Sequence, residues 1–319
     1  MFTPTTTADE VATTFAKEIQ GKNVLITGTS MNGLGFETAQ TIAKYANLVI
    51  ITGHNTERLK LSTDALKREV PGANIRPLVL DLASLDAVRK AAAEVNAYPE
   101  HIDILINNAA SPLCPFRLTV DGFEQQLATD HLGPFLFTAL IVPKILAAQT
   151  SSYTPRVVYV SSGSHAWGSG VNLEELEHPN EATYTGMQAY TQAKSANILI
   201  SQELTRRAGG RIHAYSLTPG AILTNFVQSE SARDELLKHG IITEDGKPNL
   251  NAPFPWKTIS QGAATILAAA FDPSLNEKPG CYLSHSVENN AAVAPHSSDP
   301  VMAGKLWELS ERLVNAKFL

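Results

Sequence analysis

The chain has 319 residues, 44% of them hydrophobic and 18% charged, which supplies a large core and excludes a disordered chain. Its 25 Lys and Arg stand against 31 Asp and Glu, a net charge of −6, and with no basic cluster it lacks the phosphate contacts of a nucleic-acid binder. The two cysteines, Cys114 and Cys281, make neither a disulfide framework nor a Cys-x-x-Cys site, which suits a reduced, cytoplasmic setting.

No apolar run reaches the length of a membrane span; the greasiest stretch, 134–146, holds Thr138, Pro143 and Lys144. The first residues carry no basic region followed by an apolar block, so no secretory or transit signal is expected. Thr7-Ala8-Asp9-Glu10 fits a capping box, and Val11, Phe15 and Ile19 follow at helical spacing, giving an N-terminal helical extension over 1–20. Strand and helix signals then alternate. A strand at 23–27 leads through a glycine-rich turn to a helix at 34–45, a strand at 48–52 and a helix at 57–70. Next come a strand at 75–80, a helix at 85–97, a strand at 102–106 and a long helix at 122–148. A strand at 157–160, a helix at 187–207 and a strand at 212–217 complete the series. After Thr218 the pattern loosens: residues 226–257 read as a lid, 259–271 as the final helix and 281–283 as an edge strand. Short, wholly apolar strands alternating with helices predict an α/β doubly wound parallel sheet, the Rossmann fold. The expected organisation is a single domain over 21–319 with a C-terminal substrate lid.

Three places carry chemistry. Thr27-Gly28-Thr29-Ser30-Met31-Asn32-Gly33-Leu34-Gly35 joins the first strand to a helix. Glycines there admit a pyrophosphate to the backbone, and the helix N-terminus offers free N–H groups to it. Tyr190 and Lys194 stand at i and i+4 of a helix, side by side. A free phenol titrates at about pH 10, and an ammonium ~4 Å away at an effective dielectric of ~20 contributes about 4 kcal/mol, which brings such a group toward neutrality as an acid/base. Ser161-Ser162 ends the strand at 157–160, at the sheet edge where ligands bind, and a hydroxyl there can hold a substrate oxygen.

In this order the turn, the serine pair and the Tyr-x-x-x-Lys helix resemble the short-chain dehydrogenase/reductase family. Asp81-Leu82 is similar to the family's adenine contact, Asn107-Asn108-Ala109-Ala110 to its Asn-Asn-Ala-Gly, and Pro219-Gly220-Ala221-Ile222-Leu223-Thr224 to its nicotinamide-carboxamide motif. The spacing from Ser162 to Tyr190 and the run His131–Phe135 resemble the branch of retinol dehydrogenases and WW-domain oxidoreductases. The resemblance implies hydride exchange between a nicotinamide and a carbonyl or alcohol carbon. In it Tyr190 handles the proton, Ser162 orients the oxygen, and Lys194 serves both Tyr190 and the nicotinamide ribose. Asp130 stands where the family has an Asn that anchors a proton-relay water. The implied cofactor contacts are Gly28, Ser30, Asn32, Gly33, Leu34, Gly35, His54, Asn55, Asp81, Leu82, Asn108, Ala109, Tyr190, Lys194, Pro219, Gly220, Ile222 and Thr224.

Gly53 replaces the acid that would bind a ribose 2′-hydroxyl, and His54 stands where NADP-type relatives carry Arg, which favours NADP(H) over NAD(H). Arg58 is the other residue there able to pair with a 2′-phosphate. The nine histidines show no metal-ligand spacing, and Cys281 and His285 have no third ligand nearby. Leu113, Cys114, Phe116, His165, Trp167, Tyr184, Phe226, Phe254 and Trp256 are expected around the cleft, suiting a lipophilic or aromatic small-molecule substrate. The rival readings are a nucleotide-binding redox sensor and a reductase of activated C=C bonds. The resemblance also allows a homodimer through the helices holding Asp130 and Tyr190.

Overall fold

The structure, a computed structural model, describes residues 2–319. Its strands are β1 (Asn23–Ile26), β2 (Leu48–Gly53), β3 (Ile75–Val79), β4 (Ile104–Asn107), β5 (Arg156–Val160), β6 (His213–Thr218), β7 (Ala221–Ile222), β8 (Trp256–Lys257), β9 (Tyr282–Ser284) and β10 (Val287–Glu288). Eight form one sheet in the order β10-β9-β6-β5-β4-β1-β2-β3, while β7 and β8 pair apart from it. Every neighbouring pair in the main sheet is parallel except β9 with β10. This is the doubly wound α/β architecture.

Side chains of a strand alternate between its two faces, and here both faces are dry. Leu25, Leu105 and Val157 point into one core, roofed by helices Leu85–Ala97, Gly133–Leu146, Gly186–Ala208 and Pro300–Leu313. Val24, Ile26, Ile104, Ile106 and Val158 point into the other, under helices Ala8–Thr14, Leu34–Ala43, Thr56–Glu69 and Ile259–Phe271. The N-terminal capping box forms as expected, and Val11, Phe15 and Ile19 are buried in this second core. The sheet reverses its direction of growth between β1 and β4, and the crevice at those strand ends is where such folds bind ligands. Among the described residues no helix is long and apolar enough to cross a membrane.

Three expectations are corrected. The long helix at 122–148 is composite: a turn at Gln125–Leu127, a π-turn at Ala128–Leu132 and a helix at Gly133–Leu146. Pro134 has no N–H for the carbonyl of Asp130, and the Gly133 N–H reaches back to Ala128 instead, so the ladder slips by one residue there. The helix at 259–271 is not the last. Pro300–Leu313 follows, capped by Asp299 and buried through Leu306, Trp307 and Ser310. Nor is β9 at the sheet edge, because the two-residue β10 lies outside it.

Candidate active site

β1 stops at Ile26, and the chain turns through Gly28 at φ 71° and Asn32 at φ 60° before Leu34 opens the next helix. A Cβ on Gly28 would sit 2.7 Å from the Ala109 Cα, so only glycine lets this turn approach the end of β4. Asn108 stitches the two together, its amide nitrogen donating to the carbonyls of Thr27 and Gly28 at 2.9 Å each. The helices starting at Thr56, Leu85, Gly186 and Ile259 are each capped by the preceding side chain, Asn55, Ser84, Thr185 and Thr258. The helix at Leu34 has Gly33 as its N-cap and no side-chain acceptor, and Gly33 and Leu34 line the cleft. Unsatisfied N–H groups at a helix N-terminus facing a cleft fit a dinucleotide pyrophosphate.

The cleft has a volume of about 1520 Å³. Of the residues singled out in the sequence, Gly28, Ser30, Gly33, Leu34, His54, Asn55, Asp81, Leu82, Asn108, Ala109, Ser162, Tyr190, Lys194, Pro219, Gly220, Ile222 and Thr224 line it. Asn32 and Gly35 do not line it. Gly35 instead keeps space between helix and turn, since a Cβ there would lie 2.3 Å from the Gly28 carbonyl oxygen. Leu113, Cys114, Trp167, Phe226, Phe254 and Trp256 form an apolar wall, with Trp167 stacked on Phe254 at 6.3 Å and Phe254 edge-on to Trp256 at 6.1 Å. Three aromatic expectations fail. Tyr184 donates to the Cys114 carbonyl at 2.9 Å and packs on Phe116, off the cleft. His165 is buried, bound to the Ser162 carbonyl at 2.7 Å and to the Ala294 N–H at 3.2 Å.

The polar end of the cleft is built by β5 and helix Gly186–Ala208. Ser161 is spent: its hydroxyl donates to the Lys194 carbonyl at 2.7 Å. Ser162 Oγ accepts from the Ser164 N–H at 3.2 Å and the Ser164 hydroxyl at 3.0 Å, which leaves its own proton free for the cleft. The Lys194 Nζ lies 5.3 Å from the centre of the Tyr190 ring. It donates to Asp130 Oδ2 at 3.0 Å and to the Val160 carbonyl at 3.4 Å. Asp130 Oδ1 accepts from the Ser111 N–H at 2.6 Å. The π-turn aims this carboxylate at Lys194, and both side chains are almost wholly buried. Burial alone would lower the Lys194 pKa, but the Asp130 carboxylate outweighs it and raises the pKa, so the ammonium stays charged. Burial pushes the Asp130 carboxyl up, against the Lys194 charge and the Ser111 N–H.

Sequence reading left three neighbours of this site unmarked. Ser111 and Ser164 act through backbone and hydroxyl contacts that no motif encodes. Lys257 reaches the cleft from a distant segment. A first expected outcome concerns the pair. Asp130→Asn keeps an acceptor for Ser111 but removes the counter-charge that raises the Lys194 pKa. Burial is then opposed by Tyr190 alone, and Lys194 loses its proton at lower pH. The basic limb of the pH–rate profile should move to lower pH, with the thermal unfolding curve showing a folded protein. An unmoved limb would mean that the pair does not govern the rate.

Residues 22–172 match the short chain dehydrogenase family. The chain is 33% identical over 316 residues to the short-chain dehydrogenase TIC 32 A, chloroplastic, of Brassica napus, across 97% of this chain and 93% of that one. It is 34% identical over 312 residues to retinol dehydrogenase 14 of Homo sapiens, across 93% of this chain and 87% of that one. The solved structure of an uncharacterized protein from Mycobacterium Paratuberculosis is similar with a TM-score of 0.70 at 29% identity, covering 95% of this chain and 98% of that one. With identity of this degree spread over nearly the full length of both chains, the protein belongs to the short-chain dehydrogenase/reductase family, in its retinol dehydrogenase-like branch, and is an NAD(P)-dependent oxidoreductase.

Proposed function

We propose that the protein is an NADP(H)-dependent carbonyl reductase or alcohol dehydrogenase acting on a lipophilic or aromatic small molecule. The observation that carries this reading is the meeting of a free Ser162 proton, Tyr190 and the Asp130-paired Lys194 at one end of an aromatic-walled cleft. A nicotinamide bound along the Gly28–Leu34 turn and the Pro219–Thr224 segment would supply or take up the hydride. Tyr190 then gives a proton to the substrate oxygen in reduction and takes one in oxidation. Ser162 donates a hydrogen bond to the same oxygen, and Lys194 holds positive charge beside the Tyr190 ring. Residues 226–257 act as the lid: Ala232, Leu236 and Ile242 pack with Leu113 and Met187, and Phe226 lies 5.1 Å from the Tyr190 ring.

The NADP(H) preference rests on charge. Gly53, the last residue of β2, takes the place of the acid that would bind a ribose 2′-hydroxyl, and His54 and Arg58 both line the cleft just after it. Asn55 is occupied, since its side chain caps the next helix on the Arg58 N–H. NADPH should therefore bind about tenfold tighter than NADH, a difference of ~1.4 kcal/mol. His54→Asp should reverse the order by repelling the 2′-phosphate, and His54→Arg should tighten NADPH. Dissociation constants of both cofactors for the three proteins decide this, and wild-type protein that prefers NADH would overturn it. Turnover is tested with a panel of ketones followed at the NADPH absorbance band. Both cysteines are free and buried, which suits a cytoplasmic compartment. A homodimer through the helices holding Asp130 and Tyr190 finds that face covered: Trp307 and Phe318 pack on Phe135 at 5.1 and 5.2 Å, and His131 bonds Ser310 at 2.8 Å. We read that face as closed by the chain's own C-terminal helix.

A further inference from the structure

The cleft is electropositive in an acidic chain. Asp81 is the lone carboxylate on its wall, against Arg58, Arg117, Lys194 and Lys257, although the net charge is −6. Lys194 is answered by Asp130, and Arg58 sits in the first turn of helix Thr56–Glu69, beyond β2. Among the described residues Lys257 has no such partner. Its half-buried ammonium feels burial, which lowers its pKa, and no carboxylate in reach offsets this. Lys257 is also well fixed. β8 pairs it with Ile222, and its stem runs over Gly220, where a Cβ would come within 3.0 Å of the Lys257 Cδ.

His285 faces the same place. It follows β9 with a left-handed backbone, φ 52°, a conformation that a non-glycine residue holds only when its surroundings enforce it. Its Nδ1 is buried without a hydrogen-bond partner, and the imidazole lines the cleft. Ser284, just before His285, pairs with Thr218, two residues from the Gly220 that the Lys257 stem covers, and after burial it is the charge of Lys257 that lowers the His285 pKa. An unanswered ammonium beside an unpartnered ring nitrogen forms a recess that an anion completes, with charge-assisted hydrogen bonds.

Sheet order says which anion. β9 lies two strands from β5, whose end carries Ser162, and four strands from β1, which feeds the phosphate turn. At about 4.8 Å per strand these are roughly 10 Å and 19 Å. His285, at the end of β9, is therefore remote from a pyrophosphate held at Gly33 and Leu34 and near a substrate reacting at Ser162 and Tyr190. We infer that Lys257 and His285 form a subsite for a carboxylate on the substrate. The substrate class is then a lipophilic carbonyl compound or alcohol bearing an acid group roughly 10 Å from the reacting carbon. This rests on the reading of Ser162 and Tyr190 as the reacting end.

The test is calorimetric titration of the full chain saturated with NADPH, using 4-phenylbutyrate and 4-phenyl-1-butanol as probes. Wild-type protein should bind the acid roughly tenfold or more tighter than the alcohol. Lys257→Met should bring that ratio to about one. His285→Asn, which tolerates the left-handed backbone, should bring it part of the way. A wild-type ratio near one, or a ratio unchanged in Lys257→Met, overturns the proposal. So does a Lys257→Met protein that loses NADPH affinity while keeping the ratio, because the residue would then serve a cofactor phosphate. The ratio in Tyr190→Phe belongs to the subsite alone: kept, it supports the subsite, and lost, it overturns it. Turnover in that same protein bears only on the catalytic reading.

Discussion

Replacing Tyr190 with Phe should lower turnover by roughly 10²–10⁴-fold, the usual contribution of a positioned acid/base, and leave NADPH affinity within a few-fold. The selectivity of this change follows from its surroundings. The Tyr190 ring packs on Phe226 at 5.1 Å and on Lys194, and Phe keeps both contacts. Tyr190 is only partly buried, so removing its oxygen strands no partner in the core. Stability should therefore change by no more than about 0.5 kcal/mol. Steady-state rates with a reducible ketone, cofactor titration and a urea unfolding curve separate the three quantities. A Phe variant that turns over at the wild-type rate would remove Tyr190 from the mechanism. An inactive wild type that binds cofactor as well as the variant does would favour a redox sensor.

Much of this was legible from the chain alone, and the reasons differ by element. β1, β4 and β5 read clearly because strands buried on both faces carry unbroken apolar runs, Val24–Ile26, Ile104–Ile106 and Val157–Val160, a pattern that exposed strands do not show. The phosphate turn and the Tyr190–Lys194 pair read clearly because their chemistry depends on local spacing along a single segment. Direction and detail were less accessible. Gly35 and Asn32 belong to the motif, yet the turn itself uses them, and spacing does not separate a glycine that admits a ligand from one that admits a neighbouring helix. The π-turn at Ala128–Leu132 was hidden because a helical pattern continues through it; the missing N–H of Pro134 was the signal. Helix Pro300–Leu313 announced itself through Asp299-Pro300, a cap followed by proline at the first turn, but lay beyond the motifs. Lys257 and His285 line one cleft only because β8 pairs with β7 and β9 with β6. Nothing local in either segment joins them.

Lys194→Met should produce the largest loss of stability among these substitutions, together with a loss of rate. Among the described residues the ammonium is the only charge answering Asp130, whose side chain is fully buried. Removing it leaves a buried carboxylate with one remaining donor, the Ser111 N–H, a defect that typically destabilises by about 3–5 kcal/mol. The defect should respond to pH with a definite sign. In the variant, burial raises the Asp130 pKa with no lysine to oppose it, so the native state binds a proton that the unfolded chain, with its ordinary carboxyl, has already released. Unfolding then releases protons, and stability falls as pH rises. The deficit relative to wild type should therefore shrink as pH drops from neutrality toward the ordinary carboxylate range, where a protonated Asp130 carries no charge to bury. Adding Asp130→Asn to Lys194→Met removes the stranded charge altogether and should recover most of the stability at pH 7, because replacing both partners of a buried pair is far milder than removing one. It should recover none of the rate, since the positive charge beside Tyr190 is still missing. Urea midpoints at pH 5 and pH 7 for the single and double variants, with rates measured alongside, check both halves. A single variant equally stable at the two pH values, or a double variant no more stable than the single, would show that Asp130 is not held as a buried carboxylate by Lys194.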